Sequence, residues 1–283
     1  MNKIEFGDCR ETMRRWAAEG VKVQTCVTSP PYFGLRNYGH DGQIGLEQTP
    51  EQYIAAMVEV FRCVWDVLAD DGTLWLNLGD SFGQRKQLHG IPWRVAFALQ
   101  SDGWILRQDI IWHKPNPMPE SVRDRCTKAH EYLFLLAKSA KYYYDNEAIK
   151  EDAKWERWGD QTVKKEQQGT AKWIGNKSKE ELQALGKKNR RSVWTVTTKP
   201  YKGAHFATFP PDLIEPCILA GSRAGDIVLD PFMGSGTTAQ VAIQNGRQYL
   251  GCELNPEYKA LQDERIVKAE GVVTEQTAQL ALC

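Results

Sequence analysis

The chain has 283 residues, 42% of them hydrophobic, enough to bury a sizeable core in one large domain or in one domain with an insertion. Thirty-six Lys and Arg balance thirty-six Asp and Glu, so no global cationic field announces a polyanion, and such a partner must be held by a local patch. The seven cysteines form no CxxC pair and the five histidines show no ligand spacing, which argues against a disulfide frame or a metal site.

No apolar run approaches membrane-spanning length, and Met1–Glu11 carries no signal-type core, so a soluble cytoplasmic protein with no membrane partner is expected. "KIEF" is a short strand ending at Gly7-Asp8, and "CRETMRRWAAEG" is an amphipathic helix closed by Gly20. "VKVQTCVTS" follows as a buried strand. It runs into Ser29-Pro30-Pro31-Tyr32, and the two prolines cannot join a central β ladder. Residues 33–49 form a long polar loop. Thr49 and Pro50 start a helix expected to run to Gly72, and "TLWLNLGDS" is the next strand. "GIPWRVAFALQSDG" is a helix, and "WILRQDIIWHK" with "EYLFLLAKS" is a candidate hairpin at a sheet edge.

After Tyr144 the character changes. Residues 164–202 hold 11 Lys/Arg against 3 Glu, with Trp155, Trp158, Trp173 and Trp194 in or near the stretch. Residues 145–202 therefore read as an inserted region with a basic face, although such a run can also be a plain solvated loop. The flanks, 1–144 and 203–283, are expected to form the main domain. From Phe209 the alternation returns: "PPDLIEPCILAGS" is a helix, "DIVLD" a strand, "PFMGSGTTAQVAIQNG" a Gly-rich turn into a helix, "QYLGCEL" a strand and "NPEYKALQDERIVKAEG" a closing helix. The last dozen residues are expected to be a loose tail. Strands alternating with helices predict an α/β fold with a mostly parallel sheet.

Ligands of open α/β sheets sit at the carboxyl ends of strands, and three strand ends here carry unusual chemistry. The first is Asp230 before Gly234-Ser235-Gly236-Thr237-Thr238, whose pattern is neither GxGxxG nor a P-loop, which favours a non-phosphate ligand. The second is Glu253, about twenty residues further on, where an acidic side chain meets ribose hydroxyls in nucleotide-type folds. The third is the Ser29–Tyr32 corner, a rigid polar group beside an aromatic face, which suits a planar base taken out of its stack. Each also has a bland reading: a tight turn, a solvated Glu, a packed Tyr.

"DPFMGSGTT" and "TSPPY", in the order in which they occur, resemble the amino-methyltransferases of DNA, which move a methyl group from S-adenosylmethionine (AdoMet) to an exocyclic base nitrogen. The catalytic motif precedes the AdoMet motif, as in the circularly permuted β group. "AHEYLFLLAKS" and "GAHFATFPPDLIEPCILAGS" resemble that group's linking segments, and the likeness covers residues 3–144 and about 192–268. The resemblance implies a Rossmann-like methyltransferase fold with a terminal hairpin and an inserted target-recognition region. It implies AdoMet contacts from Asp8, Cys9, Asp230, Phe232, Gly234, Ser235, Gly236, Thr237, Thr238 and Glu253, and weaker ones from His205, Phe206 and Phe209. Asp8 can also cap the first helix, and Phe232 can equally be core.

The chemistry implied is an in-line transfer in which Ser29 Oγ and the Pro30 carbonyl accept the amine hydrogens, Pro31 stiffens the corner and Tyr32 stacks on a flipped base. Ser at the first motif position leans toward N4 of cytosine in this family, and N6 of adenine is the alternative. Less favoured are a release-factor glutamine or RNA methyltransferase and a catalytically inactive DNA- or AdoMet-binding protein. Double-stranded DNA is the expected partner, met by Lys187, Lys188, Arg190 and Arg191 of the basic region and by Arg36 of the 33–47 loop. A homodimer and a cognate restriction endonuclease are the protein partners that such a role allows. No metal is required.

Overall fold

The computed structural model describes residues 1–37, 39–40, 42–152, 186–198 and 209–280. Residues 1–145 with 192–283 form one compact unit, and 146–191 form another. Among the described residues of the smaller unit, β6 (Glu151–Asp152) pairs antiparallel with β7 (Lys187–Lys188), and the Glu151 carboxylate accepts from Arg191 Nε at 2.6 Å. Most of the basic stretch, including Trp155, Trp158 and Trp173, lies outside the described residues, as do His205 and Phe206.

The larger unit is an eight-stranded sheet. It uses β1 (Lys3–Phe6), β2 (Val23–Thr28), β3 (Leu68–Leu78), β4 (Ile105–His113), β5 (His130–Ala137), β8 (Val193–Thr195), β9 (Ile227–Asp230) and β10 (Gln248–Glu253). The strand order is β1-β10-β9-β2-β3-β5-β4-β8. All neighbours run parallel except β5, which is antiparallel to both β3 and β4. From β9 the chain continues outward to β10, and from β2 it continues the other way to β3. The switch point, where a crevice opens outside the strand ends, therefore lies between β9 and β2. β1, the first strand in the sequence, closes the far edge beside β10, as a permuted order requires.

Alternation along the strands divides the helices between two faces. Cys26, Leu74, Leu76 and Leu78 join the core cluster with α1 (Cys9–Ala18), α2 (Pro50–Val67) and α3 (Ile91–Ser101). Thr25, Thr73 and Trp75 point the other way, onto α4 (Pro211–Gly221). A Cβ at Gly221 would stand 2.7 Å from Thr25 Oγ1, so only glycine lets that helix end approach the sheet this closely. Behind it α5 (Thr237–Gln244) and α6 (Lys259–Leu280) complete the layer.

Three boundaries differ from the sequence reading. The second helix stops at Val67 rather than near Gly72, because Lys138 Nζ donates to the carbonyls of Trp65 and Leu68 and satisfies the helix end early. The β4–β5 hairpin is not the sheet edge: β8 pairs outside β4, and Trp112 Nε1 donates to the Val196 carbonyl at 2.9 Å. That strand comes from residues assigned by sequence to the basic region. The expected C-terminal tail is helix through Leu280. Gly271 does not take the left-handed conformation that ends a helix, and Thr274 Oγ1 donates back to the Glu270 carbonyl.

Candidate active site at the sheet switch point

The ends of β9 and β2 are tied together at the switch point. Asp230 is fully buried, and its carboxylate accepts from Thr28 Oγ1 at 2.6 Å, Thr238 Oγ1 at 2.6 Å and the Phe232 amide at 3.0 Å. Burial pushes its pKa up to about 6, against the lowering effect of those hydrogen bonds. Asp230 therefore clamps strand, turn and helix together. Neither it nor Gly236 nor Thr238 lines the cavity above, whereas Phe232, Gly234, Ser235, Thr237 and Glu253 do. Gly236 has φ +85° and starts α5, which explains its place in the turn.

That cavity measures about 830 Å³ and runs along the carboxyl ends of the strands. On its β10 side, Glu253 Oε2 accepts from the Gly234 amide at 2.7 Å and Oε1 from the Asn255 amide at 2.8 Å. Burial raises its pKa. The carboxylate keeps acceptor capacity beyond these backbone bonds. Beside it Asp8 caps α1, accepting from the Arg10 amide at 2.7 Å, and the Arg10 guanidinium holds its carboxyl below the usual range. Asp8 thus fills its structural role while also lining the cavity with Cys9. The Cys9 thiol is pushed up to about 12 by burial. The Ser235 hydroxyl is buried with no hydrogen-bond partner among the described residues. An orphaned hydroxyl that lines the same cavity as two carboxylates fits a ligand carrying amino, hydroxyl and carboxylate groups, as AdoMet does.

On the other side stands the corner. Pro30 is buried, and the Pro31 carbonyl accepts from Tyr53 OH at 2.8 Å, fixing the turn to α2. Ser29 Oγ donates to Tyr32 OH at 3.3 Å, and Tyr32 OH donates to Glu131 Oε2 at 2.7 Å. Asn77 Nδ2 lies 3.3 Å from Ser29 Oγ, 2.6 Å from Tyr32 OH and 3.0 Å from Glu131 Oε2, and Asn77 Oδ1 is buried with no partner among the described residues. Lys114 pairs with Glu131 Oε1. Burial, then the Glu131 charge, raises the Tyr32 pKa well above its usual value, so the phenol stays protonated. The Tyr32 ring lies on Gly79, where a Cβ would stand 2.5 Å from Cε2.

Ser29, Pro30, Pro31, Tyr32 and Arg36 thus share one cavity with Asp8, Cys9 and Glu253. Sequence reasoning misses Asn77, Lys114 and Glu131. The nearest signals are a polar Asn ending an apolar strand in "WLNLG" and a Glu opening one in "HEYLFLL". Lys187, Lys188, Arg190 and Arg191 belong to the smaller unit, which ends at Arg191.

An open α/β sheet with its cavity at the switch point and one antiparallel strand set among parallel ones is the fold of the AdoMet-dependent methyltransferases. Among solved structures, the PvuII cytosine-N4-specific DNA methyltransferase superposes with a TM-score of 0.68 at 19% identity, covering 94% of this chain and 86% of that one. The Thermus thermophilus DNA modification methylase TTHA0409, in complex with AdoMet, gives a TM-score of 0.63 at 25% identity, over 95% and 94%. The DNA methylase family of the N6/N4 type matches residues 23–264, and the chain belongs to that family. Curated relatives include the Type II methyltransferases M.Cfr9I of Citrobacter freundii (48% identity, 89% of this chain, 83% of the relative) and M.SmaI of Serratia marcescens (46%, 94%, 91%). The protein is an AdoMet-dependent DNA methyltransferase of the cytosine-N4 or adenine-N6 class.

Proposed function

We propose that the chain methylates N4 of cytosine in duplex DNA, with the target base turned out of the helix into the cavity. The observation that carries this reading is the Ser29–Tyr32 corner, held by side chains in the same cavity as Glu253 and the unpartnered Ser235 hydroxyl. AdoMet supplies an electrophilic methyl on a sulfonium. In this reading Glu253 takes the ribose hydroxyls with its free lone pairs, Asp8 takes the adenine amino group, and Ser235 with the N-terminus of α5 takes the carboxylate. Gly234 lets the backbone approach, while Thr237, Cys9 and Phe232 complete the wall.

Ser29 Oγ directs its proton to Tyr32 OH and accepts from Asn77 Nδ2, which leaves one lone pair to accept an amine hydrogen, together with the Pro30 carbonyl. Glu131 positions both hydroxyls, with Lys114 balancing its charge. Asp230 acts only through the strand ends that it ties. The Cys9 thiol is neutral, and it is the one cysteine lining the cavity among the described residues, so the site offers no thiolate for attack on a pyrimidine ring carbon. Arg36 at the cavity, and Lys187, Lys188, Arg190 and Arg191, are proposed phosphate or base contacts. The relatives are Type II methyltransferases, which favours a cognate restriction endonuclease as the functional counterpart.

Nucleoside mass spectrometry of methylated DNA tests the assignment. N4-methylcytosine is the expected product, and N6-methyladenine as the sole product would overturn the base assigned while leaving the family intact.

A further inference from the structure

Between β4 and β5 the chain makes a loop, residues 114–129, that borders the cavity with Asn116, Pro117, Met118, Pro119 and Glu120. Met118 is 84% exposed, the most exposed large apolar side chain among those described. A single exposed apolar residue is ordinary on a protein surface, so exposure alone carries nothing. Here two further facts attach to it. The loop is fastened at both ends: Asn116 Nδ2 donates to the Thr198 carbonyl and Thr198 N to Asn116 Oδ1, both at 3.1 Å, while Glu120 accepts from Arg125 at 2.6 Å and from the Lys128 amide at 3.3 Å. The residue is also set between two prolines. Pro119 disfavours helical backbone at Met118, and neither proline can donate to a ladder that would fold the segment away. The chain thus holds an adaptable apolar side chain out at the rim of the cavity that contains Ser29 and Tyr32.

We infer that Met118 is the wedge that enters the duplex where the target base leaves it. This rests on the base-flipping reading above. Turning a base out forfeits its pairing and stacking, and an apolar side chain that fills the gap, as wedges of this kind do, offsets part of that cost. Thioether chains suit the role because they adapt to irregular spaces. The side chain acts on the equilibrium between stacked and flipped base. It takes no part in the transfer.

The experiment uses the full chain and two duplex oligonucleotides carrying the site mapped by sequencing modified DNA from an expressing cell. In one the target base is paired; in the other it faces an abasic site, which removes most of the cost of flipping. Met118→Ala is expected to lower kcat/KM 10- to 100-fold on the paired duplex and to come within twofold of wild type on the abasic one. AdoMet affinity should be unchanged, and Met118→Leu should restore most of the rate. No loss on the paired duplex, or an equal loss on both, overturns the wedge while the proposed activity stands. Wild type that methylates neither duplex overturns the proposed activity, and the wedge with it.

Discussion

On and beneath the proposed cofactor side of the cavity, each carboxylate accepts from a backbone amide close to it in sequence. Asp230 accepts from Phe232, Glu253 from Asn255 and Asp8 from Arg10, each two residues on. On the proposed base side, apart from the Ser29–Tyr32 bond, the polar atoms are held by side chains from far away. Tyr32 meets Glu131 across 99 residues and Asn77 across 45, and Asn77 meets Glu131 across 54. Local turns can form such carboxylate sites as soon as a strand and its following helix are in place. The base side exists only when β2, β3 and β5 are aligned in register. The individual carboxylate turns are therefore local, although the β1–β10 pairing must bring Asp8 to Glu253, whereas the contacts of Glu131 depend on the sheet register throughout.

The hardest test of this division is Ser29→Ala. It should lower the transfer rate by about 10²- to 10³-fold, roughly 3–4 kcal/mol, the scale for one preorganised polar group. AdoMet affinity by calorimetry should be unchanged, and an equal fall in that affinity would mean that the halves are not separable. Next comes Asp230, which should affect stability rather than ligands. Its folded pKa of about 6 lies above the ordinary 3.8, so its contribution is fully present below about pH 4 and is lost as pH rises through about 6. Denaturant titrations should show wild type losing about 3 kcal/mol relative to Asp230→Asn across that window. A flat difference, or a loss of AdoMet affinity without one, would move Asp230 into the binding site.

Glu253→Gln is a smaller perturbation. One backbone amide keeps its acceptor, and AdoMet binding should weaken by about 1.5 kcal/mol with the base-side chemistry untouched once AdoMet is saturating. A lower saturated rate with unchanged affinity would reverse the assignment. The mildest change is Tyr32→Phe, which keeps the ring on Gly79 and cuts the hydroxyl link between Ser29 and Glu131. A loss of about 1 kcal/mol in single-turnover rate is expected, and no loss would mean that Asn77, which bridges Ser29 and Glu131, positions Ser29 without the phenol.

The unequal legibility of the two halves follows from the same division. The Gly-rich turn, Glu253 and Asp8 can be read because each motif carries its own geometry within a few residues. Ser29 and Tyr32 can be read because proline at a strand end demands a reason. Glu131 and Lys114 look like an ordinary strand start and an ordinary strand end, and only the antiparallel register of β5 against β3 and β4 brings them to the corner. Asp230 is the converse case: its position in the motif is plain, but the two threonines that hold its buried carboxylate, Thr28 and Thr238, are not marked as its partners by the sequence. The helix ending at Val67 escapes because its cap, Lys138, lies about seventy residues downstream.

The bond between Thr28 and Asp230 joins residues 202 apart, and β1 pairs with a strand that begins at Gln248. During synthesis, which runs from the N-terminus, β2 and β3 emerge early, yet the partner for the other edge of β2 arrives only after most of the chain has been made. Until then a strand of buried residues, "VQTCVT", presents an open ladder, and β1 has nothing to pair with at all. The permuted order thus leaves the centre of the finished sheet as an edge for most of the time on the ribosome, and the pairing of β9 with β2 and of β10 with β1 becomes a late event in assembly.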